Sequence, residues 1–228
     1  MPNSIGRFFA AALVIALLAN AVHAGPLVGD PAALFSGTQP FSGFNGFKWV
    51  KADIDYAVYA PGAFSTSGPL HLNSPPDFSG GTEYIYAYEI FNTGTSLDAH
   101  VASLSVGLFP NGVSDNATLI GHVPDPSSAG AAPVASNFNP AAAATPKVNA
   151  FWSFSQFPAT LGFGQHSEVL IFASPNPPSF KVSSITGGFA TGASADLPSP
   201  VPEPGSLVLV AMALISLVGF RVFRRRLH

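Results

Sequence analysis

The sequence predicts an all-β fold: an antiparallel β-sandwich of about six to eight strands, flanked by an N-terminal signal peptide and a single C-terminal transmembrane helix. Three observations carry this. No stretch of the body sustains a helical apolar period, whereas short runs of period-two alternation recur. Those runs are divided by turn residues, with 22 glycines and 22 prolines among 228 residues. The two long apolar runs that break the pattern lie at the two ends of the chain.

The strands follow in order. Residues 47–60 alternate, with Val50, Ala52, Ile54, Tyr56 and Val58 on one face and Trp49, Lys51, Asp53 and Asp55 on the other, until Pro61-Gly62 ends the run. Residues 82–92 make the strongest strand. Tyr84, Tyr86, Tyr88 and Ile90 line one side and Ile85, Ala87 and Phe91 the other. Bulk on both faces predicts a central strand with a partly covered outer face. After the turn Asn92-Thr93-Gly94, residues 101–109 set Val101, Ser103 and Ser105 opposite Ala102, Leu104, Val106 and Leu108, and stop at Pro110-Asn111-Gly112. A short strand is expected at 118–122. Residues 124–146 are rich in Ala, Pro and Ser and predict a long surface loop. Its run Ala141 to Ala144 is bracketed too closely by Pro140 and Pro146 for a helix. Strands at 147–154, 167–173 and 181–189 complete a body spanning 25–191. A proline-rich stalk is expected over 192–205.

The ends read as export signals. In residues 1–24, Arg7 supplies a positive start, residues 8–18 the apolar run, and Val22-His23-Ala24 a site for signal peptidase, with cleavage after Ala24. At the other end, residues 206–223 are apolar over about 18 positions, roughly 27 Å of helix against a hydrocarbon core of about 30 Å. The span is marginal, which suits transient insertion in the inner membrane. Arg221, Arg224, Arg225 and Arg226 hold the end on the cytoplasmic side, and 224–228 is a basic tail.

In front of that span stands Pro202-Glu203-Pro204, made rigid and extended by its prolines. Triplet, apolar span and arginine cluster, in that order, resemble the PEP-CTERM sorting signal of Gram-negative bacteria. The resemblance implies that Pro202, Glu203 and Pro204 are recognised by an exosortase-type membrane protease and that the arginines are the stop. It also implies delivery to the cell surface or exopolysaccharide matrix. It says nothing about the chemistry of the body. A second resemblance rests on residues 161–172, where Gly164-Gln165 precedes Val169-Leu170-Ile171-Phe172. This is similar in pattern to the penultimate hairpin of Ig-like and fibronectin-like secreted modules, and implies architecture, not activity.

Composition narrows the function. There are no cysteines, so disulfides, thiol nucleophiles, thiolate metal sites and iron–sulfur clusters are excluded. All the arginines sit in the terminal signals. The body keeps only Lys48, Lys51, Lys147 and Lys181 against eleven acids, a net charge near −7. Such a surface does not suit nucleic acid. His71, His100, His122 and His166 show no metal-ligand spacing, so no metal site and no cofactor is expected. Asp53 and Asp55 share a strand face and offer oxygen to calcium, but a solvated face shared with Lys51 explains them. Asp115-Asn116 reads as turn chemistry. Glu83 and Glu89 are about 20 Å apart by strand rise, too far for a glycosidase pair. No nucleophile elbow or phosphate loop is present. Phe41, Phe44, Phe47 and Trp49, like most of the 20 phenylalanines, are expected in the core. Tyr84, Tyr86 and Tyr88 are the candidates for a wet, sugar-stacking edge.

The expectation is a non-enzymatic exported protein, structural or adhesive, at the cell surface or in the matrix of a biofilm. Its partners would be signal peptidase, an exosortase-type protease and exopolysaccharide. The alternative is a carbohydrate-binding module that retains exopolysaccharide by stacking on those tyrosines, with or without calcium.

Overall fold

The computed structural model describes residues 26–65, 68–72, 81–109, 119–125, 129–139, 147–154 and 160–201. Among them, eleven strands form two antiparallel sheets. They are β1 (Ala33–Phe44), β2 (Trp49–Tyr59), β3 (His71–Leu72), β4 (Tyr84–Asn92), β5 (Val101–Gly107), β6 (Leu119–Val123), β7 (Ala135–Asn139), β8 (Asn149–Ser153), β9 (Val169–Ser174), β10 (Pro178–Gly187) and β11 (Gly192–Pro200). The first sheet runs β1-β2-β4-β9-β6-β3 and the second β11-β10-β5-β8-β7. The all-β class is as the alternation predicts, with more strands than expected.

The main core fills the space between the sheets. Trp152, Tyr86, Tyr88, Phe41, Phe154 and Phe172 are its largest fully buried side chains. Tyr86 stacks on Phe172 at 4.8 Å between centroids. The Trp152 Nε1–H donates across the sandwich to the Gly121 carbonyl at 2.9 Å. A second, smaller core lies on the outer face of the first sheet. There Ala57, Tyr59, Ile85, Ala87, Leu119, Ile171 and Ala173 are covered by Leu27, Ala63, Phe64, Leu70 and Leu72. The covered outer face expected for residues 82–92 is therefore real, and its cover comes from the chain before β1 and after β2.

Four readings are corrected. The expected stalk is mostly β11, which pairs with β10 from Gly192 opposite Thr186 to Pro200 opposite Pro178. Its polar, proline-containing sequence suits an edge strand, which needs hydrogen bonds on one side only. The expected loop 124–146 holds β7, another edge strand. Strand β1 went unread because Gly37 and Pro40 interrupt its alternation. Pro40 is tolerated at the sheet edge, and Gly37 makes room for Tyr56, whose hydroxyl lies 2.7 Å from where a Cβ would stand. Finally, residues 161–172 are not a hairpin. Leu161 bridges Val101 of the second sheet and His166 bridges Phe91 of the first, so the turn between them carries the chain from one sheet to the other.

The expected signal peptide with Ala24, the Pro202-Glu203-Pro204 triplet, the expected span 206–223 and Arg221, Arg224, Arg225 and Arg226 lie outside the described residues. So do Pro110-Asn111-Gly112, Asp115-Asn116 and the alanine run. No helix among the described residues is long and apolar enough to cross a membrane.

The sandwich has two distinct ends. At one, the β1–β2 turn meets the β10–β11 turn, where Asn45 Nδ2 donates to the Phe189 carbonyl at 2.5 Å. At the other, the Tyr59 hydroxyl donates to Asp30 Oδ2 at 2.8 Å, and Val201 N donates to the Pro177 carbonyl at 2.9 Å. Residues 26 and 201 thus share one end, and the two turns occupy the far end, about 26 Å away along β11 at strand rise.

The two sheets come close where β1 crosses β11. A Cβ on Gly43 would stand 1.9 Å from the Gly192 carbonyl oxygen, a backbone atom that cannot turn aside. Gly43→Ala should therefore destabilise the fold by about 1–3 kcal/mol or more, read as a lower midpoint in urea unfolding. An unchanged midpoint would mean that the strands do not approach this closely.

Candidate functional site

The proposed tyrosine platform is not a surface. Tyr86 and Tyr88 are fully buried and Tyr84 packs against the core. Their face turns inward, and the hydroxyls find protein acceptors: Tyr86 donates to the Asn176 carbonyl at 2.9 Å and Tyr88 to the Pro198 carbonyl at 2.5 Å. Burial pushes both hydroxyls well above their ordinary pKa, so they stay protonated donors. A sugar ring cannot reach them.

The exposed rings are elsewhere. Phe47 is 89% exposed at the tip of the β1–β2 turn, and Phe44 and Trp49 flank it as a stacked pair, 5.0 Å between centroids. The turn is held by Asn45, whose Oδ1 accepts from the backbone N–H of Phe47 and Lys48 at 3.0 and 2.9 Å, with Gly46 at a φ of 95°. Lys48 Nζ reaches the Leu97 carbonyl at 2.7 Å, and Asn45 reaches that of Phe189. Leu97 and Phe189 are exposed too, so three loops tied to one another each carry an exposed apolar side chain at this end, here called the aromatic cap. Phe189 and Ala190 sit in the left-handed region, at φ of 62° and 55°. For non-glycine residues that conformation costs of order 1 kcal/mol each. Lys51 lies over Trp49 and pairs with Asp98 at 3.6 Å, which gives the cap a polar rim.

A second constellation lies on the outer face of the first sheet. Asp55 on β2 stands opposite Glu89 on β4, and both are fully buried. Asp55 Oδ1 accepts from the Thr38 hydroxyl at 2.6 Å. Glu89 Oε1 lies 2.7 Å from His166 Nδ1, and Asp125 Oδ2 is 4.0 Å from the same nitrogen. Backbone bonds fix His166: Ala131 N donates to its carbonyl at 2.8 Å, and Ser167 N to that of Ile90 at 2.9 Å. Its ring stacks on Phe91 at 5.5 Å. Burial, then the charges of Asp125 and Asp55, push the Glu89 carboxyl up to about 8. Asp53 is raised as well, by burial first and Asp55 second.

Sequence reasoning placed Asp53 and Asp55 on one face correctly, but missed that the face is covered. It did not bring Glu89, Asp125 and His166 together, since they come from three separate segments with no local spacing. His71 and His122 do meet, opposite one another on β3 and β6 with rings stacked at 4.9 Å, and His122 pairs with Glu168 at 2.6 Å. His100 stands apart, bonded to Thr160 at 2.8 Å.

Residues 200–226 match the family model of the PEP-CTERM protein-sorting motif, a range that includes Pro202, Glu203, Pro204 and the four C-terminal arginines. No curated protein and no solved structure matches the chain.

The Glu89 carboxyl sets a pH dependence. In the folded chain it keeps its proton up to about 8, against an ordinary value of 4.5. Its contribution to stability is therefore whole below about 4.5 and drains away as pH rises through 8. In the presence of chelator, Glu89→Gln should raise the melting temperature, with a gain that widens from pH 5 to pH 9. A gain that is flat across this range would show that the carboxyl titrates normally.

Proposed function

We propose that this PEP-CTERM sorting-motif protein is an exported, non-enzymatic adhesive component of the cell surface or matrix, and that it makes contact through the aromatic cap at the far end of the sandwich. The motif implies export and exosortase-dependent sorting to the cell surface. The adhesive reading is supported by one observation above others. Phe44, Phe47, Trp49, Leu97 and Phe189 are exposed on three loops at one end, and side-chain-to-backbone bonds tie those loops together. Isolated exposed apolar residues need no explanation, but a tethered group of them marks a contact site. Its place supports the reading as well. The chain leaves the sandwich towards the sorting motif at Val201, so the cap faces away from the end that is tethered during processing.

A second reading, retention of exopolysaccharide, moves from the buried tyrosines to this cap. The Trp49–Phe44 pair and Phe47 offer ring faces and edges, and Lys51 supplies a polar group beside them. Aromatic platforms with a polar rim suit sugar rings, whose C–H faces stack while their hydroxyls bond at the margin.

Two experiments test these readings. Purified protein should bind exopolysaccharide from the producing cells, or coat a polystyrene surface, and Phe47→Ala with Trp49→Ala should cut that retention at least tenfold while leaving the melting temperature nearly unchanged. Retention equal to wild type removes the cap from the function, and loss on the polysaccharide alone selects the second reading. For sorting, replacing Pro202, Glu203 and Pro204 by alanine should leave an unprocessed, membrane-held precursor in cell fractionation. Normal processing and release would count against exosortase recognition of the triplet.

A further inference from the structure

We propose that Glu89, Asp125 and His166 form a binding site for one divalent transition-metal ion of the zinc type, and that the ion staples three segments of the first sheet's outer face together. One donor atom from each residue lies within 4.8 Å of the others. The donors come from β4, from the chain just after β6, and from the turn that leads into β9. Two of the three are closed off from water: the Glu89 and Asp125 side chains are 0% and 1% exposed, while the His166 ring is 17% exposed.

The observation that points to a ligand is an orphaned atom. Glu89 Oε2 is buried and makes no hydrogen bond. A buried carboxyl oxygen without a partner is costly and rare in native proteins, and an ion or an ordered water is what completes such a shell. Oε1 of the same group already turns towards His166, so the carboxylate is oriented into the cluster. Asp55 adds a further negative charge directly behind it. The His166 ring is already aimed, by its stack on Phe91 and by backbone bonds on both sides, and such positioning lowers the cost of binding.

The donor set selects the ion. Two carboxylates and one imidazole, without thiol, suit zinc and its first-row neighbours, which take nitrogen and oxygen at about 2.0–2.2 Å. Calcium prefers six to eight oxygens, which three residues including an imidazole do not provide. Donors on a tetrahedral ion of that size stand about 3.4 Å apart. The present 2.7 and 4.0 Å from His166 Nδ1 straddle that separation. Bringing these two separations to it takes shifts of under about 1 Å, and the proton of the Glu89 carboxyl leaves for solvent together with any proton on His166 Nδ1 as the ion binds. A cavity of about 350 Å³, lined by Ala129, Gly130, Ala131, Gly164, Gln165 and His166, opens beside the imidazole.

The test uses the purified full-length protein, stripped with chelator, and titrates it separately with zinc, manganese and calcium chloride. Calorimetry should show one zinc per chain with a dissociation constant in the micromolar range or tighter, and saturating zinc should raise the melting temperature. Glu89→Gln and His166→Gln, each checked by circular dichroism, should weaken zinc at least tenfold, while Asp196→Asn, at an exposed position of β11, should not. X-ray absorption on the zinc-loaded wild type, which needs no variant, should show nitrogen and oxygen neighbours with the multiple scattering of a single imidazole. Absence of saturable one-to-one binding, unchanged zinc affinity in Glu89→Gln, or calcium binding as tightly as zinc would each overturn the proposal.

Discussion

Strand β4 is buried on both faces, and much of the structure answers to that constraint. A strand in this position has no water for its polar side chains, so each must find a partner inside the protein. On the inner face the tyrosine hydroxyls find carbonyls at Asn176 and Pro198. Pro198 belongs to β11, in the other sheet, so the Tyr88 hydroxyl joins the two layers while its ring fills the core between them. On the outer face Ile85 and Ala87 lie under the apolar cover, and Glu89 beside them is left with His166 and one unanswered oxygen. With no cysteine in the chain, contacts of this kind carry what disulfides carry in many exported domains.

The strands that were legible in the sequence are the ones whose surroundings are uniform along their length. Residues 49–54 alternate because one face meets the core and the other meets solvent, and residues 84–92 are bulky throughout because both faces are covered. β1, β7 and β11 were illegible for the opposite reason. Each is an edge strand, free to carry Pro, Gly, Ser or Asn where a central strand would not, and such residues in a linear reading signal a loop. The tyrosines of β4 were rightly placed on one face. The direction of that face depends on where the second sheet lies, which alternation alone does not encode.

The clustered site was illegible on stricter grounds. Asp125 and His166 reach Glu89 only after β6 and β9 have taken their places beside β4, and no spacing rule joins residues brought together by strand order. Asp55 and Glu89 likewise find Thr38 and His166 only once β1 and the chain before β9 have packed beside β2 and β4. The exposed cap was half legible, since Phe44, Phe47 and Trp49 are crowded together in sequence. Their exposure follows from the Asn45 turn, while Leu97 and Phe189 join through backbone carbonyls that any residue would offer.

That β11 runs to Pro200 has a consequence for the order of events during export. The last strand of the sandwich ends at Pro200, the residue at which the match to the sorting motif begins, and only Val201 separates it from the triplet. A protease seated in the membrane has little slack to draw on. It must either act on the chain before β11 has zipped onto β10, or grip a substrate whose folded base is pressed close against the lipid. In the first case cleavage races folding; in the second, the shape of that base becomes part of what the enzyme recognises.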